Sequence, residues 1–132
     1  MKKKLIGISL ASLLLFGSSI SAFAASRTYT DYQLYANWAN NYTDIYPKTT
    51  NDQNIVNTVT RLYNTSSAVF WACNSSFSKI SKTYTISNSQ YNLPRTIVLT
   101  STKKVGDFVG LGMEDGWTSS GRGVVSGKVD LK

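Results

Sequence analysis

The chain has 132 residues, with 14 lysines and arginines against 7 acids, one cysteine and no histidine. That inventory excludes Ser-His-Asp and Cys-His nucleophile arrangements, histidine general bases, internal disulfides, and zinc sites built on histidine or paired thiolates. Three of the 14 cations fall within residues 1–24, so the remaining 108 residues carry 11 against 7, a charge of +4.

Residues 1–24 have the pattern of a secretory signal peptide. Met1-Lys2-Lys3-Lys4 leads into the apolar run Leu5 to Phe16, and Ala22-Phe23-Ala24 forms a small-residue exit. Cleavage after Ala24 places Ala22 and Ala24 at the two pocketed positions, whereas cleavage after Ala25 would put Phe23 in one of them. The run of about a dozen residues is short of the roughly 20 that span a bilayer as a helix. No second run of that length follows. The mature chain is therefore expected to be secreted and extracellular, with no transmembrane segment. A length of 108 residues suits one domain with its own core.

In chain order, the mature segment reads as short strands rich in Thr, Val, Ile, Tyr and Trp, separated by Asn, Ser, Gly and Asp clusters. Thr28 to Tyr35 is expected as a strand, with Tyr32 and Leu34 on one face and Tyr29, Asp31 and Gln33 on the other. Tyr42 to Tyr46 is a second, stopped by Pro47. Asn54 to Tyr63 carries Ile55, Val59 and Leu62 at helical spacing, but its threonines and asparagines favour a strand. Asn64-Thr65-Ser66-Ser67 reads as a hairpin connection into the apolar strand Ala68 to Cys73, which makes Trp71 a core residue. Ser81 to Ile86, Thr96 to Thr102 and Asp107 to Met113 follow. Gly110 and Gly112 signal a bulge or a close backbone approach. Glu114-Asp115-Gly116 reads as a turn, and Gly121 to Leu131 closes the chain with Val125 and Val129 on one face. Seven or eight such strands predict an all-β fold, a single small antiparallel β-sandwich, with a small barrel as the rival.

Chemistry is limited by what is missing. Gly106, Gly110 and Gly112 lack the lysine and the strand-to-helix context of a phosphate-binding loop. Cys73 reads as a small buried hydrophobe or as half of an intermolecular disulfide. Glycoside hydrolysis by acids alone needs two facing carboxylates. Glu114, the single glutamate, and Asp115 would point to opposite faces of a strand, and Asp44, Asp107 and Asp130 are the other candidates. The acids show no calcium-loop spacing. The expectation is therefore of no enzyme, with an acid-only glycan hydrolase as the alternative, no cofactor, and no metal apart from the weak calcium site that the same oxygens leave open.

Binding has better material. Trp38 and Trp117 stand in loop-like surroundings, where an indole can stack on a sugar ring or fold back to cap a sandwich end. Tyr42 and other neighbouring polar residues offer hydrogen bonds to glycan hydroxyls. The basic residues are scattered, and only Lys103 and Lys104 adjoin after residue 24. This balance favours anionic surfaces such as a cell-wall polymer over nucleic acid. Trp38, Trp117, Tyr42, Lys103 and Lys104 are the candidate binding residues.

The Tyr-rich opening Tyr29-Thr30-Asp31-Tyr32-Gln33-Leu34, the strand Val69-Phe70-Trp71 and the closing Val125-Ser126-Gly127-Lys128-Val129-Asp130 resemble small secreted, largely uncharacterised proteins of Gram-positive bacteria. Some of these are bacteriocin-like. The resemblance implies secretion and β architecture and transfers no functional residue. Two functions are expected: a secreted, non-enzymatic module that binds an envelope polymer or glycan, or a bacteriocin-like antagonist of related bacteria.

Overall fold

The computed structural model describes residues 26–35, 39–116 and 123–132. The expected signal segment, Trp38 and Trp117 lie outside these residues. In chain order the strands are β1 (Ser26–Leu34), β2 (Asn41–Tyr42), β3 (Tyr46–Pro47), β4 (Asn54–Tyr63), β5 (Ser67–Asn74), β6 (Tyr84–Ser87), β7 (Arg95–Val98), β8 (Phe108–Asp115) and β9 (Gly123–Asp130). A short 3-10 helix, Asn88–Gln90, separates β6 from β7. One sheet has the order β1-β9-β4-β7 and the other β2-β8-β5-β6, with β3 also on β8; every pairing is antiparallel. The protein is an all-β sandwich. Among the described residues no helix is long and apolar enough to cross a membrane.

Ile55, Val59, Val125 and Val129 from the first sheet meet Phe70, Ile86, Leu111 and Met113 from the second in one core. Each is almost fully buried, and burial of a side chain of this kind contributes about 1.5–3 kcal/mol. Two β-bulges decide which residues reach that core. In β1 the register shifts between Tyr29 and Tyr32, and Asp31 adopts φ 53°. Tyr29, Tyr32 and Leu34 therefore all turn toward the core, which corrects the expected alternation that set Tyr29 opposite Leu34. In β4 the shift between Val59 and Arg61 does the same for Leu62. The helix-like spacing of Ile55, Val59 and Leu62 is the trace of this bulge. Ser126 on β9 serves the β1 bulge: its hydroxyl accepts from Asp31 N at 2.9 Å and donates to Asp31 Oδ1 at 3.3 Å.

Other boundaries differ for local reasons. The segment expected as one strand, Tyr42 to Tyr46, is split, because the Thr43 hydroxyl takes the Leu111 N–H at 3.0 Å in place of a main-chain carbonyl. This split helps raise the strand count to nine. Asn64 to Ser66 is no hairpin: β4 and β5 belong to different sheets, and the connection carries the chain across the sandwich. Glu114 and Asp115 extend β8 instead of turning. β7 ends at Val98, beyond which Leu99 bridges to Ser81.

One polar chain crosses the core. Tyr29 OH donates to Asn57 Oδ1 at 2.8 Å, and Asn57 Nδ2 donates to Tyr84 OH at 3.0 Å, linking β1, β4 and β6. Gly127 leaves room for the Tyr29 hydroxyl, since a Cβ there would strike it and Thr58 O. Burial pushes the Tyr29 and Tyr84 hydroxyls well above the ordinary tyrosine range.

Candidate ligand-binding face

Strand alternation places Val109, Leu111 and Met113 of β8 in the core and turns Gly110, Gly112 and Glu114 to the outer face of the five-stranded sheet. Trp71 of β5 pairs with Gly112 and Cys73 with Gly110 on this same face. Trp71 is 1% exposed, so its expected burial holds, but its ring packs on the outer face of the sheet and not in the cluster between the sheets. Its ring lies over Gly112, where a Cβ would overlap Nε1, Cε2 and Cζ2. Gly110 likewise yields its side-chain space to Ile45. Both glycines are therefore close approaches and not bulges.

Aromatic rings build outward from this floor. Tyr42, opposite Gly112 on β2, meets Trp71 edge-on at 6.2 Å between centroids. Phe77 packs on Tyr42 at 4.8 Å and remains 47% exposed. Phe77 has φ 58°, an unfavoured conformation for a bulky side chain. The loop that holds it there is cross-braced by Asn74, whose Oδ1 accepts from Ser76 N and Ser78 N, each at 3.0 Å, while its carbonyl accepts from Phe77 N at 2.9 Å.

Polar groups border the rings. Lys79 Nζ stands 4.5 Å from the Trp71 ring centroid, a cation–π geometry. Glu114 is 8% exposed, and burial raises its carboxyl above the ordinary range, with Lys79 partly offsetting that. Asn40 Nδ2 donates to Tyr42 OH at 3.2 Å. Cys73 is buried on this face, and burial pushes its thiol up to about 11. Its reading as a small buried hydrophobe therefore fits the structure, whereas a disulfide between chains would need the thiol exposed.

Of the five expected binding residues, Tyr42 belongs to this face, and Trp38 and Trp117 are outside the described residues. Lys103 and Lys104 lie in the β7–β8 connection, near the sandwich end. There Lys103 N donates to Gln53 Oε1 at 2.9 Å, Gln53 Nε2 donates to Lys103 O at 2.7 Å, and Lys104 N donates to Asp107 Oδ2 at 2.8 Å. Tyr42 sits opposite Gly112, four residues along β8 from Phe108, roughly 13 Å from the end that this loop enters. The lysine pair and Tyr42 are thus separate features. Lys48 is no surface cation: it is buried, its ammonium donates to Asn54 O at 3.3 Å, and burial lowers its pKa against the pull of Asp52 and Asp130.

The acids are dispersed. Glu114 is on the outer face, while its neighbour Asp115, in the opposite strand phase, accepts from Thr65 Oγ1 at 2.7 Å. Asp44 accepts from Tyr46 OH at 3.2 Å, and Asp130 belongs to the other sheet. The sequence did not single out Phe77, Lys79 or Asn40 as site residues. The Asn74-Ser75-Ser76 run marked a turn, but only the register of β5 on β8 shows that this turn overhangs Tyr42. Comparison with protein-family models, curated proteins and solved structures returned no match for the chain.

Proposed function

We propose that this protein is an exported, non-enzymatic binding module that takes a glycan or cell-envelope polymer on the outer face of its five-stranded sheet. The observation that carries the reading is Phe77. An apolar ring kept in water on a left-handed backbone costs free energy twice, and such strain concentrates at ligand sites. Phe77 and Tyr42 supply an apolar ledge for the C–H face of a sugar, and Asn40, Lys79 and Glu114 supply polar partners for hydroxyl, acetamido or anionic groups. The charge of +4 beyond residue 24 draws the module toward anionic polymers, with Lys103 and Lys104 adding to the long-range field.

The test is co-sedimentation of residues 25–132 with isolated bacterial cell walls, for the parent and for Phe77→Asn. Asparagine tolerates the left-handed backbone, so the variant removes the ring while keeping the loop. The parent is expected in the pellet at low salt, and Phe77→Asn in the supernatant at an unchanged melting temperature. Parent protein that stays in the supernatant, or a variant that pellets as well as the parent, sinks the proposal.

A further inference from the structure

β6 and β7 are the terminal strands of the two sheets on one side of the sandwich. The opposite side is closed by Asn41 Nδ2 donating to Gln33 O at 2.9 Å and by Arg27 over the Tyr46 ring at 4.4 Å. Near β6 and β7 the sheets are tied at one end, where Ser81 bridges Leu99 and Thr100 N donates to Ile80 O at 2.8 Å, and at the other by the 88–94 connection, whose Asn92 N donates to Val59 O at 2.8 Å. Between β6 and β7 lies a groove of about 370 Å³.

The groove has the chemistry of an amphiphile site. Its floor is Ile97 and the ring of Tyr84, which stacks on Phe70 at 5.8 Å. Val98 stands beside it, 65% exposed. Around the rim are the hydroxyls of Thr83, Thr96 and Thr100, and Lys82 is the one charged lining residue. Leu99 N donates to Gln53 O at 2.9 Å, which makes Ile97 and Arg95 the next hydrogen-bonded positions of β7 on β4. The Thr96 N–H and C=O consequently point away from β4, toward the groove side.

We propose that this groove binds a free single-chain fatty carboxylate, its alkyl chain along Tyr84, Ile97 and Val98 and its head at Lys82 and the threonine hydroxyls. A volume at the small end of ligand pockets suits one chain. The Ser81–Leu99 bridge and the 88–94 connection bound the groove along the strands, which fits a short single chain better than a polypeptide running through. β7 has four residues and follows Pro94, so it offers an added strand too few main-chain partners. The site is independent of the aromatic face.

The experiment is a titration of residues 25–132, followed by amide NMR shifts, with decanoate and decyltrimethylammonium below their micelle concentrations, for the parent and for Lys82→Glu. Decanoate is expected to saturate shifts at residues 82–84 and 96–100 and to bind about tenfold more tightly than the cationic analogue, with Lys82→Glu reversing the order. Absence of saturable decanoate binding, indifference to head charge, or shifts centred elsewhere overturns the proposal. So does a response only to anionic vesicles, or only to an extended apolar peptide that protects the Thr96 amide from exchange.

Discussion

Substituting Gly112 by alanine probes the seat of the aromatic face. The new Cβ would fall on the Trp71 ring, at Nε1, Cε2 and Cζ2. The chain has two responses. Ejecting the indole would re-expose roughly 150–250 Å² of apolar surface, a loss of about 4–6 kcal/mol at ~25 cal/mol per Å². Tilting the ring and straining its neighbours costs about 1–3 kcal/mol, as overpacking generally does. Tilting is cheaper, so Gly112→Ala is expected to cost about 2 kcal/mol net of the small gain alanine brings to a strand. At an unfolding entropy near 2.1 cal/mol/K per residue, that lowers the melting temperature by roughly 9 °C for a domain of this size. Differential scanning calorimetry of residues 25–132 measures it. The same substitution in a Trp71→Leu background should be close to neutral, because the obstructing ring is gone. A single variant that melts within about 2 °C of the parent, or an equal penalty in both backgrounds, would refute the packing argument.

Tyr29→Phe should destabilise by about 1–3 kcal/mol in chemical denaturation, because Asn57 Oδ1 loses its buried donor; a neutral result would mean that solvent reaches that site. Burial raises the tyrosine pKa values of Tyr29 and Tyr84, so the folded state resists deprotonation. Their stability contribution is complete below the unfolded value near 10 and declines as pH rises above it, and Tyr29→Phe should flatten that alkaline decline in a pH series. Glu114 is also raised, by burial against the opposing effect of Lys79, so its favourable term is present at acid pH and disappears as pH climbs through its folded value. Glu114→Gln should therefore raise the melting temperature at pH 7 and leave it unchanged at pH 4. Cys73, at about 11 and buried, should react with a thiol reagent at pH 8 only after unfolding, and a nonreducing gel should show monomer alone; rapid native labelling would contradict the packing against Ile45 and Gly110.

Particular residues show how far local pattern reached. The Ala68 to Cys73 run and the Thr-rich Asn54 to Tyr63 segment marked β5 and β4 because continuous apolar and β-branched stretches have few other uses in a small domain. The paired glycines Gly110 and Gly112 signalled a bulge or a close approach without naming the partners, since these are Ile45 and Trp71, far earlier in the chain. Tyr42 lies on the aromatic face, whereas Phe77 was not among the candidates. A phenylalanine in a polar turn looks like any exposed apolar residue until the ring beneath it is known.

Composition and spacing alone determined the all-β class, the absence of histidine chemistry and of an internal disulfide, and most strand positions, because these depend on residue type and on a two-residue period. Tertiary structure decided the rest. The bulges at Asp31 and beside Arg61 rephase two strands, and the Asn64 to Ser66 connection changes sheets. The β5–β8 register sets Trp71, Lys79 and Glu114 on an outer face. Each of these turns on which strand pairs with which, and in what register. Pairing between distant strands leaves no mark on either one that names the partner, and the trace the β4 bulge leaves in the spacing of Ile55, Val59 and Leu62 reads like a helix.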